Sequence, residues 1–433
     1  MAPDLTLENI DIIRPSNYAA NGYPYAEWKL LREQAPIYYW DRSVQNPFYA
    51  VTRYDDVVWI SKQPKLFQNG PRIAVILGSD PGENAPRHGS PPEGVQLNTP
   101  LFRQLLNMDP PEHAKYRRVA SSWFTPRAIQ RLQPEIERIT RELLDRLVET
   151  DGEADFVGAI TAPLTLSVLA EMLGVPREDW ELMFRWTNQI AGATDPEYQS
   201  PGQTAFETVR NARESLFKYF SALVEKSRAK PGDDIVSVIA HGKVDGEPLP
   251  VFELLSYCLV LVVAGNETTR NAASGGLLAL IEHPEELEKL RRDPGLIDSA
   301  VEEIVRWTSP VIQFCRTPIE DVEIRGQKIR AGENLCLFYP AANRDPEVFE
   351  EPDCFRIDRD PNPQLGFGIG EHFCLGASLA RLELRELFRQ WIERIDQFEL
   401  AGPLERLHSS FLGGVKQMPI RFRPRETRAP RSG

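Results

Sequence analysis

The chain has little of what a disulfide-braced or metal-clustered protein needs. Its five cysteines, Cys258, Cys315, Cys336, Cys354 and Cys374, are odd in number, widely spaced and never in a Cys-x-x-Cys pair. That opposes both a disulfide scaffold and a zinc ribbon. His372 stands two residues before Cys374, yet no third and fourth ligand follow at a zinc-like spacing, so a metal bound there takes one protein ligand and brings the rest with it. Positive charge is also in deficit. Fifty Lys and Arg against 63 Asp and Glu give a net charge of −13 and a pI near 5.2, a balance that argues against nucleic acid as a partner. The exception is Arg421, Arg423, Arg425, Arg428 and Arg431, expected to form a solvated basic tail, disordered over about 424–433. No apolar leader opens the chain, and the longest apolar run, Leu254 to Ala264, falls short of the roughly 20 residues of a membrane span. A cytoplasmic protein without a membrane span is the expectation.

What is present is core-forming sequence, 42% hydrophobic over 433 residues. Helical periodicity predicts helices at about 25–33, 54–61, 129–149, 156–173, 177–191, 203–229, 250–282, 284–292 and 296–308. Strands are expected at 37–40, 48–52, 322–325 and 335–338. No repeat or low-complexity linker divides the chain, so the fold class is mainly α with a minor β-sheet subdomain, one domain over 1–433 behind an irregular entry segment at about 1–22. The proline- and glycine-rich stretch from Gly70 to Leu106 is long enough to be a lid or an entry channel. Asp109-Pro110-Pro111-Glu112 predicts a helix start with Asp109 as N-cap.

Four constellations carry chemistry. In Phe367-Gly-Ile-Gly-Glu-His-Phe-Cys-Leu-Gly376, two glycines permit a tight path and deliver Cys374 to the start of an amphipathic helix running to Ile395. The helix dipole and free N–H groups there predict a thiolate, whether as nucleophile or as metal ligand; a buried core cysteine is the alternative. The helix 250–282 is apolar almost all round in its first half and extends nearly 50 Å at about 1.5 Å per residue. Into it the sequence inserts Ala264-Gly265-Asn266-Glu267-Thr268-Thr269. A Thr268 hydroxyl bonded back to the Ala264 carbonyl would open a groove, although an ordinary polar turn emerging into solvent has the same composition. Glu303 and Arg306 are an i, i+3 pair set among apolar residues. His113 and Arg117 share a helix face that can grip an anion or stand as a solvated patch.

Taken in order, these motifs resemble the cytochrome P450 family over nearly the whole chain. Phe367-Gly-x-Gly-x-His372-x-Cys374-x-Gly376 is similar to the haem-binding loop of the bacterial members, the Ala264–Thr269 stretch to the oxygen-activating groove of the long helix over the haem, and Glu303-x-x-Arg306 to the pair supporting the haem loop. The resemblance implies haem b (iron protoporphyrin IX) with Cys374 as the iron's axial ligand. It implies cofactor contacts from His113, Arg117, Ala264, Arg316, Phe367, His372 and Gly376, and proton delivery by Glu267 and Thr268. It also implies a lipophilic substrate among Val260, Val263, Val311, Ile312, Phe411 and Leu412. Electrons from NAD(P)H would arrive through a separate ferredoxin and its reductase, docking near Arg117, Arg118 or Arg381. The implied activity is hydroxylation of a steroid, terpenoid or branched lipid with O2; a peroxide-using enzyme and a non-catalytic haem sensor or carrier are the alternatives. Two departures stand out: Glu267 replaces the more frequent aspartate, and Cys354 stands where many relatives place a third arginine, a role open to Arg344, Arg356 or Arg359.

Overall fold

The computed structural model describes residues 5–42, 47–75, 104–192 and 195–425. A helical body surrounds the central helix Val251–Glu282, and a small sheet flanks it. The central helix is buried continuously from Leu254 to Val262, as its all-round apolar composition requires. It is also the one helix, among the described residues, long and apolar enough to cross a membrane, and it lies inside the protein core. The helices Ala162–Leu173, Trp180–Ala191 and Ala205–Ala229 pack along one side of it; Ile297–Thr308 and Ala377–Arg394 pack along another. The apolar faces of these amphipathic helices supply the main core, from Ile136 and Leu143 through Leu277 and Leu280 to Phe388 and Trp391.

The five-stranded sheet runs Ile37–Trp40, Phe48–Val51, Leu335–Phe338, Gln313–Pro318, Phe67–Gln68. Only the Phe48–Val51 and Leu335–Phe338 pair is parallel. The predicted strands at 37–40, 48–52, 322–325 and 335–338 all form, to within a residue. Strand Gln313–Pro318 matters most for function, because alternation puts Phe314 and Arg316 on one face while Gln313, Cys315 and Thr317 point the other way.

Three expectations need correction. Asp109 is not the N-cap. The helix Glu112–Ser121 begins after Pro111 without a side-chain cap, and the Asp109 carboxylate instead accepts from the backbone N–H groups of Asn69 (2.7 Å) and Gly70 (3.3 Å), fastening two segments far apart in sequence. The entry segment contains a helix, Pro15–Asn21, whose neighbour Tyr23 donates to the Thr308 carbonyl at 2.9 Å. The first arginines of the expected tail lie on strand Pro419–Pro424, where Arg421 pairs with Glu153 at 2.8 Å and Arg423 with Asp396 at 2.6 Å; alternate charges on an exposed strand face found partners. Arg428, Arg431 and residues 76–103 of the expected lid lie outside the described residues.

Candidate functional site

The central helix opens at one place only along its buried first two-thirds. Ala264 is exposed, and Val263, Gly265 and Thr268 are partly exposed, with fully buried residues before and after them. An exposed alanine in the middle of a core helix means a hollow inside the protein. The Thr268 hydroxyl donates to the Ala264 carbonyl at 2.7 Å, the back-bond that the four-residue spacing predicts. The polar insert is therefore an internal groove and not the point where the helix leaves the core.

Cys374 also borders an opening inside the protein. Its loop follows left-handed turns at Gly368 (φ 68°) and Gly370 (φ 80°), where a β-carbon at Gly370 would come within 2.4 Å of the Ser61 carbonyl oxygen. The Cys374 N–H donates to the Phe367 carbonyl at 2.9 Å, closing the loop on itself, and the helix Ala377–Arg394 starts directly after Gly376. The cysteine is open to solvent-sized contact yet deep in the molecule, which is the situation of a residue lining a hollow. Burial pushes the thiol above its ordinary pKa, against the opposing pull of the Gly376 N–H, Arg117 and Arg381. The helix start thus lowers the pKa as expected, but burial is the larger effect, and the loop alone does not hold a thiolate. A bound metal cation would reverse that balance.

Around the cysteine sit four groups of matched chemistry. The rings of His113 and His372 stack with centroids 3.9 Å apart, and the Nε2 atom of each is buried without a hydrogen-bond partner. Desolvation, reinforced by neighbouring cations, lowers the pKa of His113 to about 4 and of His372 to about 2, so both rings are neutral at pH 7. Arg117 donates to the Phe373 carbonyl at 2.6 Å and Arg316 to the Cys315 carbonyl at 2.8 Å. Among the described residues neither guanidinium has a carboxylate in salt-bridge range. The half-buried Arg117 and the buried Arg316, with no carboxylate in salt-bridge range among the described residues, and two imidazoles with unused nitrogens fit a ligand that carries carboxylates. A flat macrocycle that brings an iron for Cys374 and carries carboxylates at its edge would match this donor set. Gly376, with nothing within 4 Å of its would-be β-carbon, leaves the space such a group needs.

Glu267, expected to deliver protons with Thr268, does not itself face solvent. It is enclosed, ion-paired with Arg270 one turn on, and its Oε1 has no partner. Burial raises its pKa, opposed by Arg270. Arg270 also reaches Asn188 Oδ1, at 3.2 Å, on the helix Trp180–Ala191.

Glu303 and Arg306 are not a surface pair. Both side chains are fully buried at 2.8 Å, and Arg306 spends its other donors on the carbonyls of Asn343, Pro352 and Cys354. The third arginine is Arg359, whose Nε lies 3.1 Å from Glu303 Oε2. Cys354 contributes only its backbone carbonyl, accepting from Arg306 and Arg359. Of the other arginines left open, Arg356 uses its backbone N–H on Glu303 and Arg344 pairs with Asp353.

The expected lining divides. Val311 and Phe411 are partly exposed, while Val260 and Leu412 are buried with a sliver of surface left. Ile312 does not line the hollow: it is wholly enclosed in the cluster of Trp28, Phe338 and Cys315 behind the sheet. Phe314, which the sequence reading passed over, takes its place, meeting Phe411 edge-on with centroids 5.7 Å apart. Its place two residues before Arg316, on the same face of the strand, was the signal for it.

A family model described as Cytochrome P450 matches residues 35–294 and 295–409. Cytochrome P450-terp of a Pseudomonas species is 36% identical over 419 residues, covering 95% of this chain and 96% of that protein. A methyl-branched lipid omega-hydroxylase of Mycobacterium tuberculosis is 36% identical over 400 residues, 90% of this chain and 89% of the relative. The crystal structure of CYP108D1 from Novosphingobium aromaticivorans superposes with a TM-score of 0.83 at 35% identity, covering 96% of this chain and 97% of that one.

Proposed function

The chain belongs to the cytochrome P450 family of monooxygenases, and we propose that it hydroxylates a lipophilic small molecule of the steroid, terpenoid or branched-lipid kind, using O2 and electrons from a separate ferredoxin and reductase. The observation that carries the proposal is that Cys374, deep in the protein, and Ala264, in the middle of a core helix, are each exposed. Haem bound there through Cys374 supplies the oxygen chemistry, with a thiolate ligand favouring O–O cleavage.

The residues of the chain have separable tasks. His113, Arg117, Arg316 and His372 would hold the carboxylates of the cofactor: each imidazole has a buried Nε2 without a partner, and neither guanidinium has a carboxylate in salt-bridge range among the described residues. Phe367 braces the loop from below, its ring 4.4 Å from the Arg381 guanidinium, which itself donates to Glu302 at 2.9 Å. Thr268 offers its hydroxyl oxygen as an acceptor to the groove while its proton is engaged by Ala264. Glu267 supplies a proton to Thr268 through its unpaired Oε1, and recharging it requires Arg270 to yield, because the ion pair closes the route to solvent. Val263, Val311, Phe314 and Phe411 present apolar surface to the substrate. Of the three arginines expected to meet the electron donor, Arg117 turns inward and Arg381 is engaged by Glu302; Arg118 is exposed and takes that role for an acidic partner.

A spectral binding screen with steroids, terpenoids and fatty acids tests the proposal. One class should shift the ferric iron toward high spin at micromolar concentration; no shift with any lipophilic ligand, together with no NAD(P)H-dependent product, would favour a sensor or carrier.

A further inference from the structure

The central helix presents one more polar group toward the hollow. Tyr257, Ala264 and Thr268 are spaced by seven and four residues, so they lie on one stripe of the helix. Ala264 and Thr268 mark where that stripe is open; Tyr257, about 10 Å further toward the helix start, marks where it closes again. Its side chain is 2% exposed, and its hydroxyl has no hydrogen-bond partner among the described residues. Buried phenol hydroxyls are ordinarily paired, so this one is aimed at something the protein does not itself provide.

Arg117 identifies what that is. Its guanidinium lies close enough to Tyr257 to favour the ionised phenol, against the burial that pushes the pKa up. The same guanidinium acts on Cys374 and, among the described residues, has only the Phe373 carbonyl as a hydrogen-bond acceptor. His113, one turn before Arg117 on the same helix, adds another unpartnered nitrogen. A water molecule would satisfy the hydroxyl but leave the guanidinium without a counter-charge; a carboxylate satisfies both.

We propose that Tyr257 is a further cofactor-binding residue, its hydroxyl donating to the same haem carboxylate that Arg117 holds. This rests on the haem reading above. Tyr257→Phe removes one oxygen and keeps the ring that packs in the core. In the haem-loaded protein the substitution should speed transfer of haem to excess apomyoglobin about three- to tenfold, the value of one hydrogen bond. It should also shift the propionate-bending band in the resonance Raman spectrum while leaving the thiolate signature of the carbon monoxide complex in place. Tyr219→Phe, which loses a hydroxyl bonded to Asp179 at 2.8 Å, is the control and should change neither. A Tyr257→Phe protein with an unshifted band and a transfer rate within about twofold of the parent would overturn the assignment. A parent protein without the thiolate signature would overturn the haem reading, and this proposal with it.

Discussion

Arg359 Nε sits 3.1 Å from Glu303 Oε2, joining residues 56 positions apart into one buried cluster with Arg306 and Asn362. The cluster is a clamp, because both arginines also bind the carbonyls of residues 350–354 and so fix the segment that leads into the cysteine loop. Removing Glu303 leaves two enclosed guanidinium groups facing each other, and breaking such a buried pair costs about 3–5 kcal/mol. Glu303→Ala is therefore expected to lose most haem-loaded protein, and Arg359→Ala to lower the melting temperature by several degrees. Arg356→Ala, whose side-chain pairs are exposed, should shift it little. Haem content per chain and thermal denaturation measure all three.

Arg270 is the second clamp. With Arg270→Leu, Glu267 is left buried without its cation and takes up a proton; its pKa, already raised by burial, rises further. The expected outcome is a protein that still binds haem, with the alkaline limb of its pH–rate profile moved upward. An unchanged profile would remove Glu267 from proton delivery.

How far the sequence carried the account depends on the range of the contact. The Thr268 back-bond, the cysteine loop and the Glu303/Arg306 pair are local, each within four residues or set by glycine conformation, and all stand as the spacing predicts. Contacts made by long-range folding were not legible. Nothing near Arg359 marks it above Arg344 or Arg356, since its partner lies on a helix far upstream. Asp109 reads as a cap from its neighbours, but its carboxylate was drawn to Asn69 and Gly70 by a chain crossing that periodicity does not encode. Arg421 and Arg423 read as a solvated run because their partners, Glu153 and Asp396, come from other strands of a small sheet. Ile312 precedes the strand Gln313–Pro318, so its enclosure behind the sheet is a matter of tertiary packing that the alternation placing Phe314 does not encode.

Thr268→Ala should fold, bind haem and bind substrate like the parent, since the lost hydroxyl bonds only to the carbonyl of its own helix. Its product yield per NAD(P)H consumed should fall severalfold, with the balance recovered as hydrogen peroxide. Yield and peroxide measured together check this, and a mutant as tightly coupled as the parent would exclude the hydroxyl from proton delivery.

The stacked imidazoles predict a pH dependence for the haem-free protein. His113 titrates at about 4 in the fold and near 6.5 when unfolded, so above pH 6.5 both states are neutral and folding is undisturbed. Below pH 6.5 the unfolded state takes up the proton first, and stability falls as the pH drops toward 4. Urea midpoints of the haem-free protein should decline over that window, and His113→Gln should flatten the decline. Haem carboxylates beside the ring would raise its folded pKa, so the loaded protein should show a shallower slope.

The central claim is that Cys374 holds an iron from within the hollow. The measurement that tests it most directly is the absorption difference spectrum of the reduced, haem-loaded protein with carbon monoxide. The account predicts the red-shifted band of a thiolate-ligated haem in the parent and its loss in Cys374→Ala. A parent protein that takes up no haem, or a Cys374→Ala protein that keeps the band, would contradict it.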